Sequence, residues 1–336
     1  MKEALLYEKI EESKVRCRLC AHGCVIKPGH TGLCAVRRND DGRLVSLVYG
    51  QAISANVDPI EKKPLFHFLP GTTSMSIATV GCNFSCRHCQ NSDISQMPRD
   101  QDRIMGSDLP PAEVVRLARS RRSASISYTY TEPTVFFEYA LDTARAASAA
   151  GLRNVFVTNG YMSAEALETI GKDLHAANVD LKAFTEGFYK KVCGARLEPV
   201  KETIVRMRQA GVWVEVTTLL IPGYNDDEAE LGRLAEWLAG VDPDMPWHIS
   251  RFHPTYRLTD ARTTPTETIR RTREIGRRAG LKYVYSGNVW GDEGEKTFCH
   301  QCGGLLIDRV GYSIAANRVT GGACPDCRTP VVGVWR

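Results

Sequence analysis

Between residues 74 and 285 the chain alternates two hydrophobic periods. Short apolar runs rich in β-branched and aromatic residues read as strands at 75–80, 125–130, 154–158, 178–182, 212–220, 247–252 and 282–286. The stretches between them, 111–122, 134–150, 164–170, 201–210, 227–239 and 266–279, carry apolar residues three or four positions apart, the spacing of a helix with one buried face. Strand and helix taking turns in this way imply right-handed βαβ units and a parallel sheet. The fold class is α/β, and the pattern alone allows either a doubly wound sheet or one curled into a barrel.

Chemically unusual residues collect at one end of these strands. Gly81-Cys82 follows the first, Glu132 the second and Asn159 the third; Asp180 and Lys182 end the fourth, "IPGYND" follows the fifth and His253 the sixth. Loops leaving the carboxyl ends of parallel strands build the active sites of such folds. A curled sheet would bring all of these residues to one mouth.

Composition narrows the classes. The 336 residues are 43% hydrophobic, enough for one large core with small appendages. A formal charge of +4 is too small a surplus to argue for an anionic partner, so nucleic acid is not indicated. The opening "MKEALLYEKIEESK" interrupts every short apolar piece with charge, and no later run reaches membrane-spanning length; a cytoplasmic location without membrane contact is expected. In a reducing compartment the twelve cysteines read as metal ligands rather than disulfides. Eleven of them form three groups: Cys17, Cys20, Cys24 and Cys34; Cys82, Cys86 and Cys89; and Cys299, Cys302, Cys324 and Cys327. Cys193 is left over and reads as a small buried hydrophobe.

The middle group, in "VGCNFSCRHCQNSD", stops at three. Three thiolates around a cubane [4Fe–4S] cluster leave one iron free, as a catalytic zinc keeps a position that a structural zinc closes. A zinc knuckle completed by His88 or by a distant residue is the competing reading of the residues. The C-x3-C-x2-C spacing at the exit of the first strand resembles the signature of the radical SAM superfamily. "CNFSCRHCQN", "YTEP", "TNGY", "VDLK", "LIPGYND" and "RFHP" resemble successive motifs of pyruvate-formate-lyase-activating-enzyme-like proteins. With "CRLCAHGC" before them and "CHQCGG" and "CPDC" after, nearly the whole chain resembles the radical SAM enzyme of the AmmeMemoRadiSam system.

The resemblance implies a partial (β/α)6 TIM-like barrel, the radical SAM core, with small cysteine-rich metal-binding modules at both termini. It implies that Cys82, Cys86 and Cys89 hold a [4Fe–4S] cluster whose free iron binds S-adenosyl-L-methionine, and that Phe84, Glu132, Asn159, Asp180, Lys182 and His253 contact that cofactor. All but Glu132 also have a plain reading: a packed ring for Phe84, a cap for Asn159, a solvated ion pair for Asp180 and Lys182, a hydrogen-bonded core imidazole for His253. Two departures stand out. Tyr130 and Thr131 replace the glycines of the family's "GGEP", and Thr217 stands where activating enzymes carry an arginine.

The expected organisation is an N-terminal four-cysteine module over 1–57, a connector over 58–73, the barrel over 74–290 and a zinc-ribbon or rubredoxin-like module over 291–336. The C-terminal pair of C-x2-C knuckles suits zinc; the N-terminal four suit zinc or an auxiliary iron–sulfur cluster. The function implied is reductive cleavage of S-adenosylmethionine to a 5′-deoxyadenosyl radical that abstracts hydrogen from a substrate, with a flavodoxin- or ferredoxin-like electron donor and Memo-like and AMMECR-type proteins as partners. Alternatives are an activase that places a glycyl radical on a partner protein and, without catalysis, a binding protein built on three zinc modules.

Overall fold

The computed structural model describes residues 1–335. Its centre is one eight-stranded sheet: β1 (Ser54–Pro59), β2 (Thr73–Ala78), β3 (Ser125–Tyr128), β4 (Arg153–Thr158), β5 (Ala176–Asp180), β6 (Trp213–Leu220), β7 (Trp247–Arg251) and β8 (Val284–Gly287). Strands lie side by side in chain order, β1 antiparallel to β2 and every later pair parallel. The order never reverses, which excludes the doubly wound alternative. Crossovers of one hand that always step the same way keep the helices on one face and curl the sheet. β8 and β1 have no ladder between them, so the barrel is partial and open.

The crossovers carry α1 (Pro111–Ser120), α2 (Phe137–Ala149), α3 (Ala164–Ile170), α4 (Glu198–Gln209), α5 (Glu228–Val241) and α6 (Thr266–Arg278). Ser163 and Asp227 cap α3 and α5 by accepting from the Ala166 and Glu230 amides. The stretch 134–150 is not helical from its start: Pro133–Phe136 is a tighter 3-10 turn opened by Glu132, whose side chain accepts from Thr134 N. β3 ends at Tyr128 rather than at 130 because Tyr130 takes φ +66°, which no strand tolerates. β1 was not legible as a strand. It pairs on one side only and exposes half of its residues, so its sequence shows no alternation.

After β1 the chain turns into the barrel. Phe66 N and His67 N donate to the two oxygens of Glu215 on β6 at 2.9 and 2.8 Å, and Pro64 O accepts from Asn178 on β5. Glu215 is fully buried and takes two further donors, Trp213 Nε1 at 3.0 Å and His248 Nε2 at 2.6 Å. Burial works against its ionised form; the bonds and charge of His248, with those around His67 and Phe66, outweigh that and hold the pKa below the ordinary value.

The N-terminal module consists of two small antiparallel sheets, tied to the barrel by a buried bidentate pair in which Arg37 donates to Glu138 on α2 at 2.8 and 3.0 Å. The C-terminal module is a three-stranded antiparallel sheet, Thr297–Phe298, Leu305–Val310 and Ser313–Asn317, whose core is shared with Phe66, Tyr283 and Tyr285. Among the described residues no helix is long and apolar enough to cross a membrane.

Replacing Glu215 by Ala strands four buried donors. It should cost about 3–5 kcal/mol in denaturant unfolding, with Glu215→Gln, which keeps an acceptor oxygen, costing less.

Candidate radical SAM site

The loop after β2 carries the three central cysteines, and its shape is set by what it packs on. Gly81 has φ +99°, and a Cβ there would lie 2.6 Å from Val36 Cγ1, so only glycine fits. Beyond it, Ser85 N donates to Cys193 O and Arg87 N to Val192 O, both at 2.9 Å, which rests the loop on a single π-turn, Tyr189–Cys193. Arg99 clamps it from the other side, donating to the Phe84 carbonyl at 2.8 Å and to the Cys82 carbonyl.

Cys82, Cys86 and Cys89 line one cavity of about 370 Å³ at the carboxyl ends of the strands. Among the candidate contacts, Phe84, Asn159, Asp180 and Lys182 line it as well. Phe84 packs edge-on to Tyr161 and Tyr189, with ring centroids 5.1 and 6.3 Å away. Asn159 donates to Asn83 Oδ1 at 2.7 Å, locking the end of β4 to the cysteine loop. Lys182 donates to Asp180 at 2.9 Å. Burial pulls the Lys182 pKa down, but Asp180, Cys86 and Cys193 more than offset it, so the ammonium is held well above its usual range. Asn225 of "IPGYND" fixes that lysine by donating to its carbonyl at 2.6 Å.

Two candidates stand elsewhere. His253 is exposed beyond β7 and does not line the cavity. Glu132 lies sealed beneath the floor: Oε1 accepts from Thr134 N, Thr134 Oγ1 and Thr158 Oγ1 at 3.0, 2.6 and 2.7 Å, and Oε2 from Asn159 N at 2.8 Å. Its carboxylate is spent on holding Asn159 in place.

The residues present suit a positively charged, polar occupant. The Cys82 thiol is pushed well up by burial and the Glu132 charge, and Cys86 by its hydrogen bond to Cys193 and by burial, so a cation is needed to draw out the thiolates. Two buried polar atoms on residues that line the cavity, Thr217 Oγ1 and His88 Nδ1, have no partner within the protein. Burial, and then Lys182, push the His88 imidazole down to about 3, so it is neutral. Sequence reading gave no role to Asn83, Arg99 or Tyr312, which reaches the cavity from the C-terminal module; nothing in their local sequence marks them.

In the C-terminal module the four cysteines converge: all four sulfur atoms lie within 4.8 Å of one another, with Cys299 to Cys327 at 3.6 Å and Cys302 to Cys324 at 3.7 Å. Zinc–sulfur bonds of about 2.3 Å in a tetrahedron separate sulfurs by about 3.8 Å. The set is therefore dimensioned for a single metal ion.

Comparison with known proteins covers the stretch that carries this site. The model of the radical SAM superfamily matches residues 76–235, from β2 into α5. Uncharacterized protein MJ0808 of Methanocaldococcus jannaschii is 48% identical over 310 residues, 92% of this chain and 92% of its own. The putative glycyl-radical enzyme activating enzyme MJ1632 of the same organism is 24% identical over 214 residues, 62% of this chain and 78% of its own. The crystal structure of Streptococcus suis SuiB bound to precursor peptide SuiA superposes with a TM-score of 0.51 at 14% identity, covering 69% of this chain and 52% of that one, a likeness of fold. The chain carries a radical SAM superfamily domain over residues 76–235. Along nearly the full length of both, it forms one family with MJ0808.

Purified protein should carry one zinc per chain, measured by plasma emission, and the double variant Cys299→Ser/Cys302→Ser should lose it while the barrel cavity keeps its own metal content.

Proposed function

We propose that the protein is a radical SAM enzyme in which Cys82, Cys86 and Cys89 hold a [4Fe–4S] cluster and the cavity beside them binds S-adenosylmethionine. The observation that carries this reading is the convergence of the three cysteines with Asn159, Asp180 and Lys182 on one cavity at the strand ends. When bound, the cluster and cofactor supply reductive cleavage to a 5′-deoxyadenosyl radical that removes a hydrogen atom from an organic substrate. The chain's part is to bind, orient and exclude water.

Asn159 and the Asp180–Lys182 pair offer an amide, a carboxylate and an ammonium to the amino, hydroxyl and carboxylate groups of the cofactor. The orphaned Thr217 hydroxyl offers a further polar contact at the position where activating enzymes carry arginine. Glu132 acts through Asn159 rather than on the ligand. The neutral His88 lines the same wall without adding charge. Lys62, Lys63 and Tyr312 border the rest of the cavity. Asp58 accepts from Lys62 and Lys63 at 2.9 and 2.7 Å, which neutralises much of that rim.

Thr217 in place of arginine, and the two extra cysteine modules, favour a substrate other than the backbone of a glycyl-radical enzyme. Single-electron supply is assigned to a flavodoxin- or ferredoxin-like protein, and Memo-like and AMMECR-type proteins are the proposed companions of the reaction.

Anaerobic reconstitution with iron and sulfide, followed by dithionite and S-adenosylmethionine, should yield methionine and 5′-deoxyadenosine. Cys82→Ala, Cys86→Ala and Cys89→Ala should each abolish it, and Asn159→Ala or Asp180→Asn should weaken cofactor binding about tenfold, the loss of one buried hydrogen bond. Formation of the cluster with no 5′-deoxyadenosine would overturn the reading. A stable glycyl EPR doublet on a co-purifying polypeptide would replace it with the activase.

A further inference from the structure

The N-terminal four cysteines are arranged unlike those of the ribbon. Cys17, Cys20, Cys24 and Cys34 all line one largely enclosed cavity, bounded otherwise by Leu19, Ile26 and Val135 among others. Yet no three of their sulfur atoms lie within 4.8 Å of one another, whereas all four of the ribbon's do. A single ion cannot be reached by four sulfurs spread wider than its own bond lengths allow. A cubane carries its thiolates on separate irons and holds them further apart. Cys82, Cys86 and Cys89 likewise form no group within 4.8 Å, Cys86 lying within that distance of His88 and Cys193 instead.

The position of this cavity is as specific as its spacing. Arg99 donates to the Leu33 carbonyl at 2.7 Å while clamping the Cys82 and Phe84 carbonyls, so one guanidinium spans both cysteine loops. His22 Nε2 donates to the Asn83 carbonyl at 2.9 Å, and a Cβ on Gly81 would lie 3.2 Å from the Cys34 carbonyl oxygen. The two loops are bridged by side-chain-to-backbone hydrogen bonds. The buried Arg37, paired with Glu138, sits close enough to Cys17 and Cys34 to share their field, which suits a cavity that gains negative charge.

We propose that Cys17, Cys20, Cys24 and Cys34 hold a second [4Fe–4S] cluster, ligated entirely by protein and stacked against the catalytic cysteine loop. With four thiolates on four irons no position is open to a substrate, so the cluster exchanges electrons only. It accepts one electron from a reduced flavin or iron–sulfur protein and returns to its oxidised state when the barrel site takes that electron up.

The inference concerns the metal of the N-terminal module and stands whether or not the barrel site cleaves S-adenosylmethionine. Reconstituted protein should contain about eight iron and eight sulfide with one zinc per chain. The variant Cys82→Ala/Cys86→Ala/Cys89→Ala should keep about four iron and four sulfide and give an S = 1/2 EPR signal after dithionite. Adding Cys20→Ser/Cys24→Ser to that background should remove the remaining iron and leave the ribbon zinc, which reports that the chain is still folded. About four iron with two zinc in the unmodified protein would overturn the proposal, as would an iron-free triple variant that keeps its ribbon zinc. Retained iron that dithionite does not reduce would overturn the electron-transfer role.

Discussion

A parallel sheet that curls without closing leaves its interior to be sealed by something other than a strand, and the carboxylate of Glu215 is what makes the seal hold. The connector after β1 enters the barrel as irregular backbone, and irregular backbone brings amides that need acceptors. Glu215 takes two of them, from Phe66 and His67, together with Trp213 and His248 from the sheet itself. His67 in turn shares a 2.6 Å hydrogen bond with Tyr285 on β8, and Arg309 of the C-terminal module donates to the Phe66 carbonyl at 2.7 Å. One buried anion thus joins β6, β7 and the connector, and through the connector β8 and the ribbon. Lys62 and Lys63 reach the cavity, and Tyr312 can border it, because that plug is fixed.

Where the chain's local pattern is enforced by burial, the sequence is easy to read. β4, β5 and β6 are buried almost throughout and appear as continuous apolar runs within a residue or two of their true limits. The cysteine spacings carry their meaning locally as well, because the ligands of each set lie close along the chain. β1 and the plug are different. Their stability comes from partners far away in sequence, 148 residues away for His67 and Glu215, and no local period records such a bond. Of the connector residues, Lys62 and Lys63 line the cavity, while His67 is buried against Tyr285.

The site shows the same division. A motif fixes which residue types stand at a strand end, but not whether a carboxylate faces the cavity or the cap beneath it. Glu132 occupies the place the "YTEP" pattern assigns to it, yet the two threonines at 134 and 158 and the Asn159 amide exhaust its acceptor capacity. A glycine pair in place of Tyr130 and Thr131 would leave this turn freer. Here Tyr130 takes a left-handed φ and Asn91 donates to its carbonyl at 2.9 Å, which draws the turn toward the cysteine loop. Sequence reading places His253 correctly just after β7 and says nothing of its side chain's exposure, which depends on where the loop runs next.

Three sets of cysteines in one chain raise a problem of selection, since thiolates favour both zinc and iron–sulfur clusters and the ligand type alone does not sort them. Spacing can. A rigid antiparallel knuckle pair brings the ribbon's sulfurs to 3.6 and 3.7 Å, a distance that a tetrahedral ion spans and a cubane overfills. The central loop is pinned by Gly81, the π-turn and Arg99, and the N-terminal module by the same Arg99 and by Arg37, so moving either loop toward that distance strains these hydrogen bonds. Under the proposed assignment, discrimination between metals rests on the cost of moving a packed backbone, and the Arg99 guanidinium that touches both loops makes that cost common to both.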